Sequence, residues 1–215
     1  MTDYSQSGEQ EYILKALGFD DPAGEKPLGP IGHLLDIGAW NAKTFSNSRA
    51  LIELGWSAVL FEPSPGPLRG LVEEYGNNPR VEVVGLPVTL LSEIIKLRCT
   101  DDALSADATN ASHLKTWDGY GFYGTMTTRG LSLASVFEYW GGFDFVSIDT
   151  EGTSVDLFAL MIRLASGPFP VKLPRCVCVE HENRWDELRK AAELGNYRLV
   201  SPPEGSINAI LEHAQ

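Results

Sequence analysis

The stretch His33-Leu34-Leu35-Asp36-Ile37-Gly38-Ala39-Trp40-Asn41 determines how the rest of this 215-residue chain is read. An apolar run meets an acid and then a glycine, the pattern of a buried strand that leaves a sheet through a tight turn. A second run, Ser57-Ala58-Val59-Leu60-Phe61, ends in Glu62. Rossmann-like domains cradle a nucleoside in this way, with a glycine turn after one strand and an acid at the tip of the next to hold the ribose hydroxyls. The pairing predicts a nucleoside-cofactor pocket drawn from two turns. Asp36, Gly38, Ala39, Trp40 and Asn41 come from the first, and Glu62, Pro63 and Ser64 from the second.

Working outward, strand 33–37 is followed by an expected helix over 44–54, with Phe45, Leu51, Ile52 and Leu54 on its packing face and Gly55 as its stop. Strand 57–61 leads to a helix from Pro67 to Tyr75, and strand 81–84 follows the Asn77-Asn78-Pro79 turn. Repeated strand–helix steps imply parallel strands with right-handed crossovers. Residues 94–99 read as an extra strand, and 132–139 as a helix. Strand 143–148 ends in Asp149-Thr150-Glu151-Gly152, before a helix over 154–164 with Thr153 and Asp156 at capping-box spacing. Strand 176–179 runs into Glu180-His181-Glu182, and a helix over 185–194 precedes a terminal hairpin of 197–200 and 207–211. The expectation is an α/β protein with a mostly parallel sheet and one reversed edge strand from that hairpin. Residues 1–30 read as a weak helix near 11–17 and a Gly/Pro-rich connection, ahead of one domain over 31–215 with an insertion near 100–130.

The formal net charge of -12 argues against a nucleic-acid partner, which needs a basic face. No apolar run is long enough to span a membrane, and residues 1–10 are polar and acidic rather than signal-like, so a cytoplasmic location is expected. Cys176 and Cys178 share one face of a strand, poor geometry for a disulfide, and with Cys99 they read as reduced core thiols.

A dinucleotide fold needs G-x-G-x-x-G so that a pyrophosphate can approach the backbone. Here the three positions are Gly38, Trp40 and Lys43, which disfavours NAD and FAD. S-adenosylmethionine carries no phosphate. It needs backbone amides and polar groups near its amino-acid end, an acid on its ribose, and surroundings that tolerate a sulfonium cation. Gly38 through Asn41, Glu62 and a pocket rich in carboxylates suit it, with Asp36 organising the turn or reaching the cofactor amine.

Asp36-Ile37-Gly38-Ala39, then Gly55-Trp56-Ser57-Ala58-Val59-Leu60-Phe61-Glu62-Pro63, then Asp149-Thr150-Glu151-Gly152 at the end of strand 143–148 resemble the FkbM family of methyltransferases. The resemblance spans about residues 31–211. It implies a Rossmann-like class I methyltransferase fold, S-adenosylmethionine as methyl donor and hydroxyl groups as the usual acceptors. Trp40 and Ala42 stand where the family typically has Asn and a second Gly.

Ligands of an open parallel sheet gather beyond the carboxyl ends of its strands, where Asp36, Glu62, Asp149, Glu151, Glu180 and His181 converge. Methyl transfer to a hydroxyl on a small molecule or glycan requires alignment and removal of a proton, for which Asp149, Glu151 and His181 are the candidates. His33, His113 and His213 lack a partner pattern, and no G-x-S-x-G elbow points to a hydrolase. No resident metal is expected in this reading. The alternatives are a metal-assisted O-methyltransferase, with Asp149 joined by Glu180, His181 or Glu182, and a non-catalytic binding module. The segment Trp117-Asp118-Gly119-Tyr120-Gly121-Phe122-Tyr123-Gly124 reads as part of an insertion covering the pocket, or as a hairpin that buries its aromatics.

Overall fold

The computed structural model describes residues 1–19, 29–99, 105–107, 115, 124–168, 170–200 and 205–214. The described elements of the first half are α1 (Glu9–Ala16), β1 (His33–Ile37), α2 (Arg49–Glu53), β2 (Ser57–Phe61), α3 (Pro65–Tyr75), β3 (Val81–Val84), β4 (Val88–Thr89), β5 (Ile94–Cys99) and β6 (Ser105–Asp107). The second half supplies β7 (Gly124–Arg129), β8 (Leu131–Ser132), α4 (Leu133–Trp140), β9 (Phe145–Ile148), α5 (Ser154–Ala165), β10 (Cys176–Glu180), α6 (Trp185–Leu194), β11 (Tyr197–Val200) and β12 (Asn208–His213).

Seven strands form one sheet in the order β3-β2-β1-β9-β10-β12-β11. The glycine turn and the acid-tipped strand are neighbours, because β1 pairs in parallel with β2 on one side and with β9 on the other. The order runs outward from β1 in both directions, which is the doubly wound, Rossmann-like class I methyltransferase sheet expected. One detail differs. The reversed strand is β12, antiparallel to both β10 and β11, and it lies inside the sheet while β11 forms the edge. The hairpin therefore folds back between its own first strand and β10.

Both faces of the sheet are covered, which is why β1, β9 and β10 read as near-continuous apolar runs. Leu35, Ile37, Val146, Ile148, Val177 and Val179 pack with α4, α5 and α6. On the other face Leu34, Ala58, Leu60, Phe145 and Cys178 pack with Ile13, Leu14 and Leu17 of the N-terminal segment and with α2 and α3. The N-terminal segment thus shares the core of the residues that follow it. Glu9, fully buried, fastens it there by accepting Ser206 Oγ–H at 2.7 Å and Asn208 Nδ2–H at 3.2 Å. The three cysteines are buried and unpaired, and burial pushes the Cys176 and Cys178 thiols up.

Three local expectations are corrected. The helix over 44–54 is only Arg49–Glu53, since Asn41 Oδ1 accepts the Lys43 and Thr44 N–H groups and holds an open turn in its place. Helix α3 starts at Pro65, two prolines in its first turn being tolerated where no intrahelical N–H is needed. The capping box before α5 is not made: Asp156 pairs with Arg184 at 2.8 Å, and Glu182 caps the helix from the far side, taking Gly152 N–H at 3.1 Å and Ser154 N–H at 2.8 Å.

The extra strand over 94–99 is β5, the middle strand of a small antiparallel sheet with β6 and β7. Most of the 100–130 insertion, including Trp117 to Tyr123 and His113, lies outside the described residues, as does most of the Gly/Pro-rich connection. No described helix is long and apolar enough to cross a membrane.

Candidate active site

The carboxyl ends of β1, β2, β9 and β10 open into a cavity of about 520 Å³, roofed by the segment after β3 and by Ile95 and Leu97 of β5. The glycine turn is built first from backbone. Gly38 and Ala39 donate their N–H groups to the Phe61 carbonyl at 2.9 and 3.0 Å, which stitches the turn to the end of β2. Gly38 has φ 84°, and a Cβ there would stand 1.7 Å from the Asp149 carbonyl oxygen. Glycine is required because β9 passes against the turn, whether or not a ligand is bound.

Glu62 ties the two turns together. One carboxylate oxygen accepts Trp40 N–H at 3.0 Å and the other accepts Ser64 N–H at 2.6 Å. Only 4% of the residue is exposed, and it faces the cavity. Burial pushes its pKa up to about 7, against the lowering effect of the Ser64 and Trp40 hydrogen bonds. Gly38, Trp40, Pro63 and Ser64 line the same space.

Asp36, Ala39 and Asn41 are not brought to the cavity wall. Asp36 is buried behind the turn with the Ser48 and Ser147 hydroxyls, and burial raises its pKa to about 6. Ala39 packs in the core beneath α2 and α3. Asn41 is spent on its own turn. Of the two roles open to Asp36, the structure supports organising the turn.

At the other end, Asp149 and Glu180 form a hydrogen-bonded pair of carboxyl groups at the tips of β9 and β10, with Glu151 on the same wall. Both are pushed well up, first by burial and then by repulsion from one another and from Glu151 and Glu182 nearby. Asn47 Oδ1 is a buried acceptor with no hydrogen-bond partner among the described residues, and Asn47 lines the cavity. Buried oxygens left this way mark places where a ligand's donors fit.

His181 is used structurally. Its Nδ1 accepts the Asn183 N–H at 3.0 Å, so the proton sits on Nε2, directed at the Ser206 carbonyl at 3.2 Å, and the ring stacks on Trp185 at 4.1 Å. With Nδ1 and Nε2 engaged and the ring outside the cavity wall, it has no lone pair for an acceptor's proton. Glu182 is occupied as the cap of α5. The metal-assisted alternative loses His181 and Glu182 as ligands, and among the described residues no group of three or more His, Cys, Asp or Glu side chains could hold a metal ion.

Sequence reasoning missed Phe45, Asn47, the Leu86-Pro87-Val88 segment and the roof residues Ile95 and Leu97. Leu86 to Val88 were within reach, since they follow the carboxyl end of the third strand, where the same sheet-end rule applies. Phe45 was hidden by assignment to a helix face. It is 52% exposed and stacks on Trp40 with ring centroids 5.7 Å apart. Trp40, Phe45 and Glu151 all line the cavity and all have positive φ, at 42°, 56° and 53°. Non-glycine residues held there carry strain that gathers at functional sites.

No family profile and no curated protein matches the chain. Solved structures of similar fold include the putative methyltransferase yhhF from Escherichia coli, 14% identical, over 100% of this chain and 90% of that one, with a TM-score of 0.47. The C-terminal domain of precorrin-6Y C5,15-methyltransferase from Rhodobacter capsulatus is 14% identical over 95% of this chain and 86% of that one, with a TM-score of 0.45. N-methyltransferase NodS from Bradyrhizobium japonicum WM9 is 8% identical over 96% of this chain and 97% of that one, with a TM-score of 0.44.

Proposed function

We propose that this chain is an S-adenosylmethionine-dependent methyltransferase of the FkbM type, acting on a hydroxyl of a small molecule or glycan. One observation carries the reading: the buried Glu62 carboxylate, pinned by Trp40 and Ser64 N–H groups, faces a nucleoside-sized cavity beside a glycine turn. The Ser64 hydroxyl takes one of the carboxylate's two remaining lone pairs, and the other is left for a ribose hydroxyl. The site has no glycine where a pyrophosphate would need one, and no Lys, Arg or His among the described residues that line it.

Bound S-adenosylmethionine would supply a methyl group activated on a positively charged sulfur. The chain's own residues supply the rest. Glu62, with Pro63 and Ser64, holds the nucleoside end; Leu86, Pro87 and Val88 give it an apolar wall. Asn47 Oδ1, without a partner among the described residues, is placed to accept a donor from the cofactor's amino-acid end. Asp149, with Glu151 close by, is the group that takes the acceptor hydroxyl's proton. Its raised pKa makes it a stronger base than an exposed aspartate, and Glu180 keeps it oriented. Much of the rate then comes from alignment of acceptor, methyl carbon and sulfur.

Calorimetry with S-adenosylhomocysteine tests the reading. Saturable one-to-one binding is expected, and no detectable heat with folded protein would remove it.

A further inference from the structure

The nucleoside end of the proposed cofactor uses only part of the cavity's apolar surface, the Leu86-Pro87-Val88 segment with Pro63. A second apolar set is left over. Leu90, Ile95 and Leu97 come from β5 and the segment that leads into it, and Trp40, Phe45 and Ile207 from loops of the main sheet. Of these, Phe45, Leu90 and Ile207 line the cavity and are also exposed to solvent, so they stand at its mouth, and Leu91 beside them in the chain is exposed as well. Scattered single apolar side chains on a surface are ordinary, but several gathered round a concave site mark where an apolar ligand lies. Phe45 adds an independent sign. Its backbone is held at φ 56°, a strained conformation that burial does not offset, because the ring stays half in water. Glu93 is exposed at the same cavity and the whole chain carries a net charge of -12, which together disfavour anions there.

We infer that the methyl acceptor is a neutral amphiphile, an alcohol whose hydroxyl reaches Asp149 and whose alkyl or alicyclic body lies against Leu90, Ile95 and Leu97 and leaves past Phe45 and Ile207. This rests on the methyltransferase reading above and narrows it. A free sugar is disfavoured, since its remaining hydroxyls would meet apolar walls without partners. The amphiphile binds as a single molecule from solution. Docking on a bilayer draws on basic side chains, and no Lys or Arg stands among the described residues that line the cavity. In the transfer the acceptor oxygen bonds to the methyl carbon as the carbon–sulfur bond breaks. The electron pair of that bond stays on sulfur, and the hydroxyl proton passes to Asp149.

The test uses the full chain saturated with S-adenosylhomocysteine and titrated by calorimetry with 1,2-octanediol, glycerol and glucose. Octanediol and glycerol share a vicinal diol and differ by an apolar tail. Each buried methylene is worth about fourfold in affinity, so octanediol is expected to bind at least about thirtyfold tighter than glycerol, with glucose no tighter than glycerol. Leu90→Ser and Ile207→Ser should each shrink that preference about fivefold and keep parental S-adenosylhomocysteine affinity. Leu194→Ser, at an exposed residue outside the cavity, should leave it unchanged. If the mouth variants fail to fold, the comparison of probes on the parent chain still decides. Equal affinity for octanediol and glycerol, no binding of octanediol, or a preference untouched in both folded mouth variants overturns the inference and leaves the methyltransferase reading intact. Co-sedimentation with phosphatidylcholine vesicles, or a dimer that Leu90→Ser dissociates, would also overturn it, by making the mouth a membrane contact or an interface between copies. Failure of S-adenosylhomocysteine itself to bind removes both.

Discussion

Glu62 Oε2 accepts the Trp40 backbone N–H at 3.0 Å, so the acid at the tip of β2 and the turn after β1 are one unit. Removing the carboxylate deletes the bond that holds the turn and, on the proposed function, the ribose contact with it. Glu62→Ala is expected to weaken S-adenosylhomocysteine binding by about 1–3 kcal/mol, measured by calorimetry on a variant whose circular dichroism matches the parent. Glu62→Gln, which retains one acceptor oxygen, should lose less. Parental affinity in a folded Glu62→Ala would reject the role.

Asp149 should separate chemistry from cofactor binding. Asp149→Asn keeps the shape but cannot take the acceptor's proton, so turnover should fall by about 10²–10⁴-fold while S-adenosylhomocysteine affinity changes little. Because burial raises the Asp149 pKa above its ordinary value, the acid limb of the parent kcat profile should lie closer to neutrality than an exposed aspartate would give. A profile flat down to about pH 4.5 would contradict this assignment.

The same groups make the ligand-free protein sensitive to base. Burial raises Asp36 to about 6 and Glu62 to about 7, and pushes Asp149 and Glu180 up. A carboxyl with a raised folded pKa binds more protons folded than unfolded. Its contribution is complete below the unfolded value and is lost as pH rises through the folded one. His33, whose pKa burial lowers, works in the opposite direction but is neutral in both states above about pH 7. Thermal midpoints should therefore fall between about pH 6.5 and 8, and a rising midpoint over that window would contradict the burial of these acids.

Glu182 caps α5 from the loop after β10, a role that a metal ligand would not have. Glu182→Ala should lower stability by about 1–2 kcal/mol in urea unfolding and leave S-adenosylhomocysteine affinity near the parental value. Activity should be unchanged in EDTA. A loss of activity in EDTA, restored by a divalent cation, would revive the metal-assisted alternative.

The sheet and its two acid-tipped strands were legible because burial on both faces writes itself as unbroken apolar runs, and because Gly38 sits where β9 leaves no room for a Cβ. What was not legible depends on contacts between distant segments. Phe45 satisfies a helical spacing with Leu51 and Ile52, yet Asn41 captures the Lys43 and Thr44 amides and opens the turn that brings Phe45 to Trp40. Thr153 and Asp156 have capping spacing, yet Arg184 takes the Asp156 carboxylate and Glu182 does the capping. His181 stands beside the right strand tip, but a two-residue reach to Asn183 N–H turns its ring away from the cavity. The order of β12 and β11 follows from strand pairing that hairpin spacing does not encode.

A crystal structure with S-adenosylhomocysteine bound tests the central claim most directly. The nucleoside is expected across the β1 and β2 tips, a ribose hydroxyl on Glu62 and the sulfur directed toward Asp149. A nucleoside lodged elsewhere, or a Glu62 carboxylate with no ribose contact, would contradict the account.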